Sequence, residues 1–431
     1  MLENEGVALR AIRWSEIFPW LSIGKSFRLA VSLRLLVYGA AALLLTLLGW
    51  TIIAQIFLHN GALNRSWTDA FGDKSAWQVI DQAVPDRPFS DEHFSGEHSG
   101  DTPGLDIRGL APPLSAWATL SRPVLRFFSL VPSKFEQPMS AGDVFAMVLS
   151  ALWSLAVWAY FGAAISRVAA VELATGERVG WGASLRWARA KWLAYFSAPV
   201  IPMLGIAMAV LPVLVLGLLM KFNFLAAVAG LIWPLAILAA FVMTLLLAGV
   251  LLGWPLMWAT ISVEGTDSFD ALSRTYAYVF QKPLRYATYI LVAVFVGWLG
   301  WIVVENLAAT VIWLASWAAG WGAGPARMEK LLSGGGESSL AHAGSALIAF
   351  WNGGVKLLAL GYAFSYFGVA STAIYYQMRR DIDSRETDEV FLDADKSEQK
   401  FGLPELQKDA AGAPEVAAAS AGGPISDEAV E

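Results

Sequence analysis

Long apolar tracts alternate with short polar islands along the chain. Two islands, 172–191 and 264–285, stand between such tracts and carry a helical pattern of their own. In the second, Gly265, Thr266, Asp267 and Ser268 form a helix-start cluster, because short polar side chains accept from free backbone N–H groups. Asp267 and Asp270 put negative charge at the positive end of the helix dipole. Phe269, Leu272, Tyr276, Val279 and Phe280 then recur at helical spacing on one face. Pro283 stops the helix, since it lacks an N–H and restricts the residue before it. Such a helix is too short and too polar to span, and is expected on the membrane surface with its apolar face down. In the first island Trp181, Leu185, Ala188 and Trp192 make a similar stripe, with Arg186, Arg189 and Lys191 off it. Val171-Glu172 matches Val263-Glu264, and Thr175-Gly176 matches Gly265-Thr266. The chain therefore reads as an internal repeat of span, surface helix, span; the alternative is two chance amphipathic connectors.

A helix needs about 20 apolar residues to cross the hydrocarbon. Six tracts qualify: 35–57, 144–165, 192–220, 235–261, 286–304 and 354–377. The stretch 224–263 would run to about 60 Å as one helix, so 224–233 is read as a lead-in segment broken near Pro234. Residues 307–321, with Trp313, Trp317 and Trp321 on one stripe, read as an interfacial helix. A Gly-rich loop at 322–343 and a short apolar helix at 344–351 follow. The expected fold is all-α: a polytopic helical membrane protein with about six spans and two cytoplasmic surface helices.

Two regions flank the six-span domain of 35–380, and one long loop interrupts it. Residues 1–34 mix Trp14, Trp20, Phe18 and Phe27 with Arg10, Arg13, Lys25 and Arg28, and read as a basic amphipathic anchor. Residues 58–140 are a long polar segment, loosely ordered in its first half, with a short interfacial helix expected within 110–131. Residues 381–431 are acidic and rich in Ala, Gly, Ser and Pro; they cannot form a core and read as a disordered tail. The first apolar tract begins too late and runs too long for the core of a signal peptide.

Composition agrees with the pattern. The chain is 56 % hydrophobic and 15 % charged, which excludes an ordinary soluble domain, and its 20 Trp favour membrane–water interfaces. The net charge of -6 comes partly from the tail. No basic stripe with interleaved aromatics points to nucleic acid. The absence of cysteine excludes disulfides and thiol chemistry. Basic residues flank the spans at 10–34, at both islands and at Arg379-Arg380. The positive-inside rule then places both termini and both islands in the cytoplasm of a cell with an inner membrane, and 58–140 outside it.

Candidate chemistry is sparse. Asp91, Glu92, His93, Glu97, His98 and Asp101 have metal-ligand character, but their spacing is not that of a helical zinc motif; a solvated acidic loop is the plainer reading, and no metal or cofactor is expected. Ionisable residues in a membrane are functional candidates by default. Glu305 and Lys356 fall about 30 Å from the basic ends of their spans, at the outer interface, where they are expected to pair. The 22 residues from Glu264 to Arg285, together with the opening EIFPWLSIGKSFRLAVS and the ending AIYYQMRRDID, resemble uncharacterised polytopic bacterial membrane proteins. The plan is similar to the membrane domain attached to some glycerophosphodiester phosphodiesterases. That resemblance implies a helical membrane module, often without a catalytic domain of its own, and carries over no catalytic residue. The expected function is a non-catalytic scaffold that binds the bilayer and membrane or cytoplasmic proteins. A lipid- or small-solute-handling transporter component is the alternative, motivated by the repeat and the proline-rich spans.

Overall fold

A computed structural model describes residues 23–59, 76–88, 114, 116–117, 119–121, 141–335, 338–385, 389–392, 406–408 and 414–416. The amphipathic stripe within 1–22, the Asp/Glu/His cluster at 91–101 and most of the tail lie outside these residues. The chain divides into two units, Met1–Val390 and Phe391–Glu431. The second unit contains a short antiparallel ribbon, β1 (Leu406–Lys408) and β2 (Pro414–Val416), with Leu406 opposite Val416.

Among the described residues, the regular elements of the first unit are all helices. Short α1 (Lys25–Ala30) leads into α2 (Leu33–His59), and α3 (Ala76–Ala83) follows. Then come α4 (Ala141–Thr175), α5 (Trp181–Leu219), α6 (Asn223–Glu264) and α7 (Ser268–Gln281). The last three are α8 (Pro283–Ala323), α9 (Pro325–Leu332) and α10 (Ser339–Asp383). Six of them, α2, α4, α5, α6, α8 and α10, are long and apolar enough to cross a membrane. The protein is thus a multi-pass helical membrane protein.

Helix ends follow the expected chemistry at the second island. Gly265 closes α6 in the left-handed conformation (φ 67°), where a side chain would be strained. The Asp267 carboxylate accepts from the N–H of Asp270 at 3.0 Å and starts α7. Lys282 (φ −131°, ψ 60°) and Pro283 then separate α7 from α8.

Several expectations need correction, among them the Gly-rich loop at 322–343, which contains α9. The stripe at Trp181, Leu185 and Trp192 is the opening of α5, not a separate surface helix. No proline or glycine interrupts the chain between Gly182 and Pro199, so nothing there stops a helix. The expected break at Pro234 is absent: α6 runs through it. Proline is tolerated in membrane helices where neighbouring groups take over the freed carbonyl. Likewise 307–321 continues α8, and 344–351 belongs to the start of α10. The tail unit, read as structureless, contains the ribbon described above.

Close backbone approach sets the packing. A side-chain carbon added at Gly39 of α2 would collide with the carbonyl of Gly361 in α10, and one at Gly361 with that of Leu36. Small residues at such crossings let membrane helices pack by van der Waals contact, where hydrophobicity gives no drive. Around this crossing α10 is the most enclosed of the six spans. By contrast α5 and α6 expose most of their apolar surface.

Prolines create a second kind of joint. Pro199 offers no N–H to the carbonyl of Tyr195, and the indole of Trp258 donates to that carbonyl instead, at 2.9 Å. Pro255 likewise frees the carbonyl of Leu251, and Trp117 donates to it at 2.9 Å. Trp117 comes from the 58–140 segment, and Leu251 lies about 20 Å along α6 from Glu264. Part of that segment is therefore inserted among the spans rather than resting at their edge.

Candidate functional site

Three places gather polar or cavity-forming residues. The first is the end of the bundle at Glu264. Its carboxylate accepts from Arg379 at 2.8 Å, Tyr375 at 3.2 Å and Arg385 at 3.3 Å, with Arg274 at 4.0 Å. Lys191 of α5 donates to the carbonyl of Gly265 at 2.8 Å, and Arg167 of α4 to that of Ser262 at 2.8 Å. Positive groups thus cover the negative end of the α6 dipole. Arg167 also lies 3.8 Å above the Trp187 ring, and Tyr195 links Ser262 (2.7 Å) to the Trp187 indole (3.1 Å). Glu172, at the end of α4, binds Arg34 and accepts from the N–H of Val179 at 3.0 Å. Asp381 binds Arg285 and Tyr289, and Asp383 accepts from Tyr278, tying α7 and α8 to the end of α10. Burial pushes the Tyr276 phenol up to about 12 as it donates to the carbonyl of Leu246 at 2.6 Å.

The second place is a groove of about 440 Å³ between α4, α5 and α6, reached by residues 120–121. Met147, Trp158, Met203, Val250, Trp254 and Trp258 form much of its wall. Several of its polar atoms are engaged within the protein. The Trp254 indole donates to the Ser121 hydroxyl at 3.1 Å, and the Trp258 indole to the Tyr195 carbonyl. The Ser154 hydroxyl donates to the Ser150 carbonyl at 2.8 Å while accepting from Trp50 at 2.8 Å. Ring and methyl carbons are what the wall presents.

The third is a cleft of about 770 Å³ at the opposite end, bounded by α8, α9, α10 and the end of α3. Beneath it Lys356, only 1 % exposed, donates to Asp81 at 2.8 Å and to Asp86 at 2.7 Å. Sequence reasoning placed Lys356 near an interface but did not foresee these partners, which stand some 270 residues earlier on a segment without a motif. Glu305 is 4 % exposed in α8.

The remaining predicted positions fall as follows. Phe269 is 67 % exposed, whereas Leu272 and Tyr276 are half-buried; Tyr276 covers Gly249 of α6. The buried face of α7 is Ser268, Ala271, Thr275, Tyr278 and Val279. Trp181 meets Tyr38 edge-on at 5.2 Å, Leu185 packs on the core, and Trp192 donates to the Ala156 carbonyl at 3.0 Å. Arg274 is engaged by Asp270 at 3.2 Å. Among the described residues no group of three or more His, Asp or Glu could hold a metal.

No family model, curated protein or solved structure matches this chain.

Proposed function

We propose that the protein is a non-catalytic membrane module that holds the acyl chain of a membrane lipid in the groove between α4, α5 and α6. The observation that carries this reading is the groove itself. Its volume falls in the range of ligand sites, its walls are mostly apolar, and the indoles of Trp254 and Trp258 and the hydroxyl of Ser154 are spent on the protein. A polar solute would find no free donor on Trp254, Trp258 or Ser154. A hydrocarbon chain needs none, and its source is the surrounding bilayer. The charges at the Glu264 end support a structural role, because they bind one helix to another rather than line a path. The exposed Phe269 and Phe280 of α7 fit contact with a membrane surface. Both termini and α7 belong on the cytoplasmic side of an inner membrane by the distribution of Lys and Arg. The internal repeat is supported by a shared detail: Glu172 and Glu264, each in the last turn of a span, each bind an arginine from the end of another span.

The test is photocrosslinking in bilayers containing a phospholipid with a diazirine in its acyl chain. Adducts are expected on Met147, Met203 and Val250 above the level at the lipid-facing Leu214 and Leu238. Ala151→Trp should abolish the groove adducts and spare the others. Equal labelling of groove and outer face would overturn the assignment.

A further inference from the structure

The cleft at the Lys356 end is a different kind of cavity. Its α8 wall is an indole ladder: Trp313 and Trp317 lie nearly parallel with centroids 6.4 Å apart, and Trp321 stands at 69° to Trp317 at 5.5 Å. Trp317 and Trp321 form a corner, and the two residues are 53 % and 79 % exposed. The same cleft is lined by Asp81 and Asp86, with Glu329 on α9.

The two aspartates are fixed rather than loose. Buried Lys356 holds one oxygen of each, and also donates to the backbone carbonyl of Asp81 at 2.8 Å. Their side chains remain half or more exposed, so a second oxygen on each is available to the cleft. Trp77 of α3 stacks on Phe350 at 5.1 Å and rests on Gly353, where any side chain would displace it. That seats the segment carrying the aspartates firmly on α10. Three lining carboxylates, Asp81, Asp86 and Glu329, then face two cations, Lys356 and Arg87.

Indole faces attract cations through the ring quadrupole, and aromatic corners of this kind suit ammonium groups, quaternary ones above all. A carboxylate opposite the rings adds attraction that a neutral ligand would not feel. We propose that this cleft binds a small organic ammonium group, between the Trp317–Trp321 corner and the free oxygens of Asp81 and Asp86. The ammonium could come from a lipid headgroup or from a free amine; the recognition chemistry is the same. The proposal is independent of the acyl-chain groove, which lies on other helices.

Isothermal titration calorimetry on the full chain in phosphatidylglycerol nanodiscs tests it, with choline, ethanolamine and neutral glycerol as probes. Choline and ethanolamine are expected to bind and glycerol not. Trp317→Leu and Asp86→Asn should each weaken choline about fivefold to tenfold, while Trp317→Phe keeps most of the affinity. Thermal unfolding of each variant separates lost binding from lost folding. Repeating the choline titration in phosphatidylethanolamine nanodiscs separates the sources: competition by the bilayer assigns the site to a headgroup, and unchanged binding assigns it to a free amine. No binding of either ammonium in phosphatidylglycerol, equal binding of glycerol, or indifference to both variants would refute the site.

Discussion

At the scale of single residues, the two proline–indole joints are the most informative feature. Each proline removes one helix hydrogen bond, and each is answered by a tryptophan from elsewhere in the chain. Trp117→Phe should leave the Leu251 carbonyl without a donor and cost about 1–3 kcal/mol. Pro255→Ala restores an N–H four residues after Leu251, so the double change Trp117→Phe with Pro255→Ala should regain much of that loss. Thermal unfolding in detergent measures both; a double variant no better than Trp117→Phe alone would show that the indole acts by packing. The sequence made half of this legible. Pro199 and Pro255 announce which carbonyls lack partners, but not which of 20 tryptophans supplies the donor. That pairing depends on residues more than 60 positions apart, and no local pattern encodes it.

Among elements, α7 and its surroundings follow from local chemistry, whereas helix continuity elsewhere does not. The Asp267 cap, the left-handed Gly265 and the Pro283 stop are all readable from residue type. The 181–192 stripe and Pro234 misled because amphipathic spacing and proline mark tendencies that neighbouring helices can override. The charge clusters were also hidden, since Glu264 and Arg379 are 115 residues apart. Their pairing gives a sharp expectation. Arg379 is nearly fully enclosed, so Arg379→Met should cost about 3–5 kcal/mol by stranding Glu264 among fewer cations. Arg274→Met, on a more exposed side chain 4.0 Å from the same carboxylate, should cost about 0–1 kcal/mol. The comparison is again thermal unfolding; similar losses would mean that burial does not govern this cluster.

For the whole molecule, topology is open to a clean experiment, because the native chain has no cysteine. Ser273 on α7 and Ser333 beyond α9 are both exposed and belong to opposite ends of the bundle. In intact cells a cysteine at Ser333 should react with an impermeant maleimide, and one at Ser273 should react only after lysis. The reverse pattern would invert the orientation proposed above. Helix length is the feature with the widest reach. The 42 residues of α6 run for about 63 Å with no charge between Asn223 and Val263, against a hydrocarbon slab of about 30 Å. To stay inside a flat slab α6 would have to lean by about 60°, well past the 0–40° that spans adopt. Spin-label depth along α6 would read its tilt directly. Short of such a lean, one end of α6 stands clear of the hydrocarbon, and since Gly253 to Val263 are buried among neighbouring helices, that end has a sheath of protein in place of lipid.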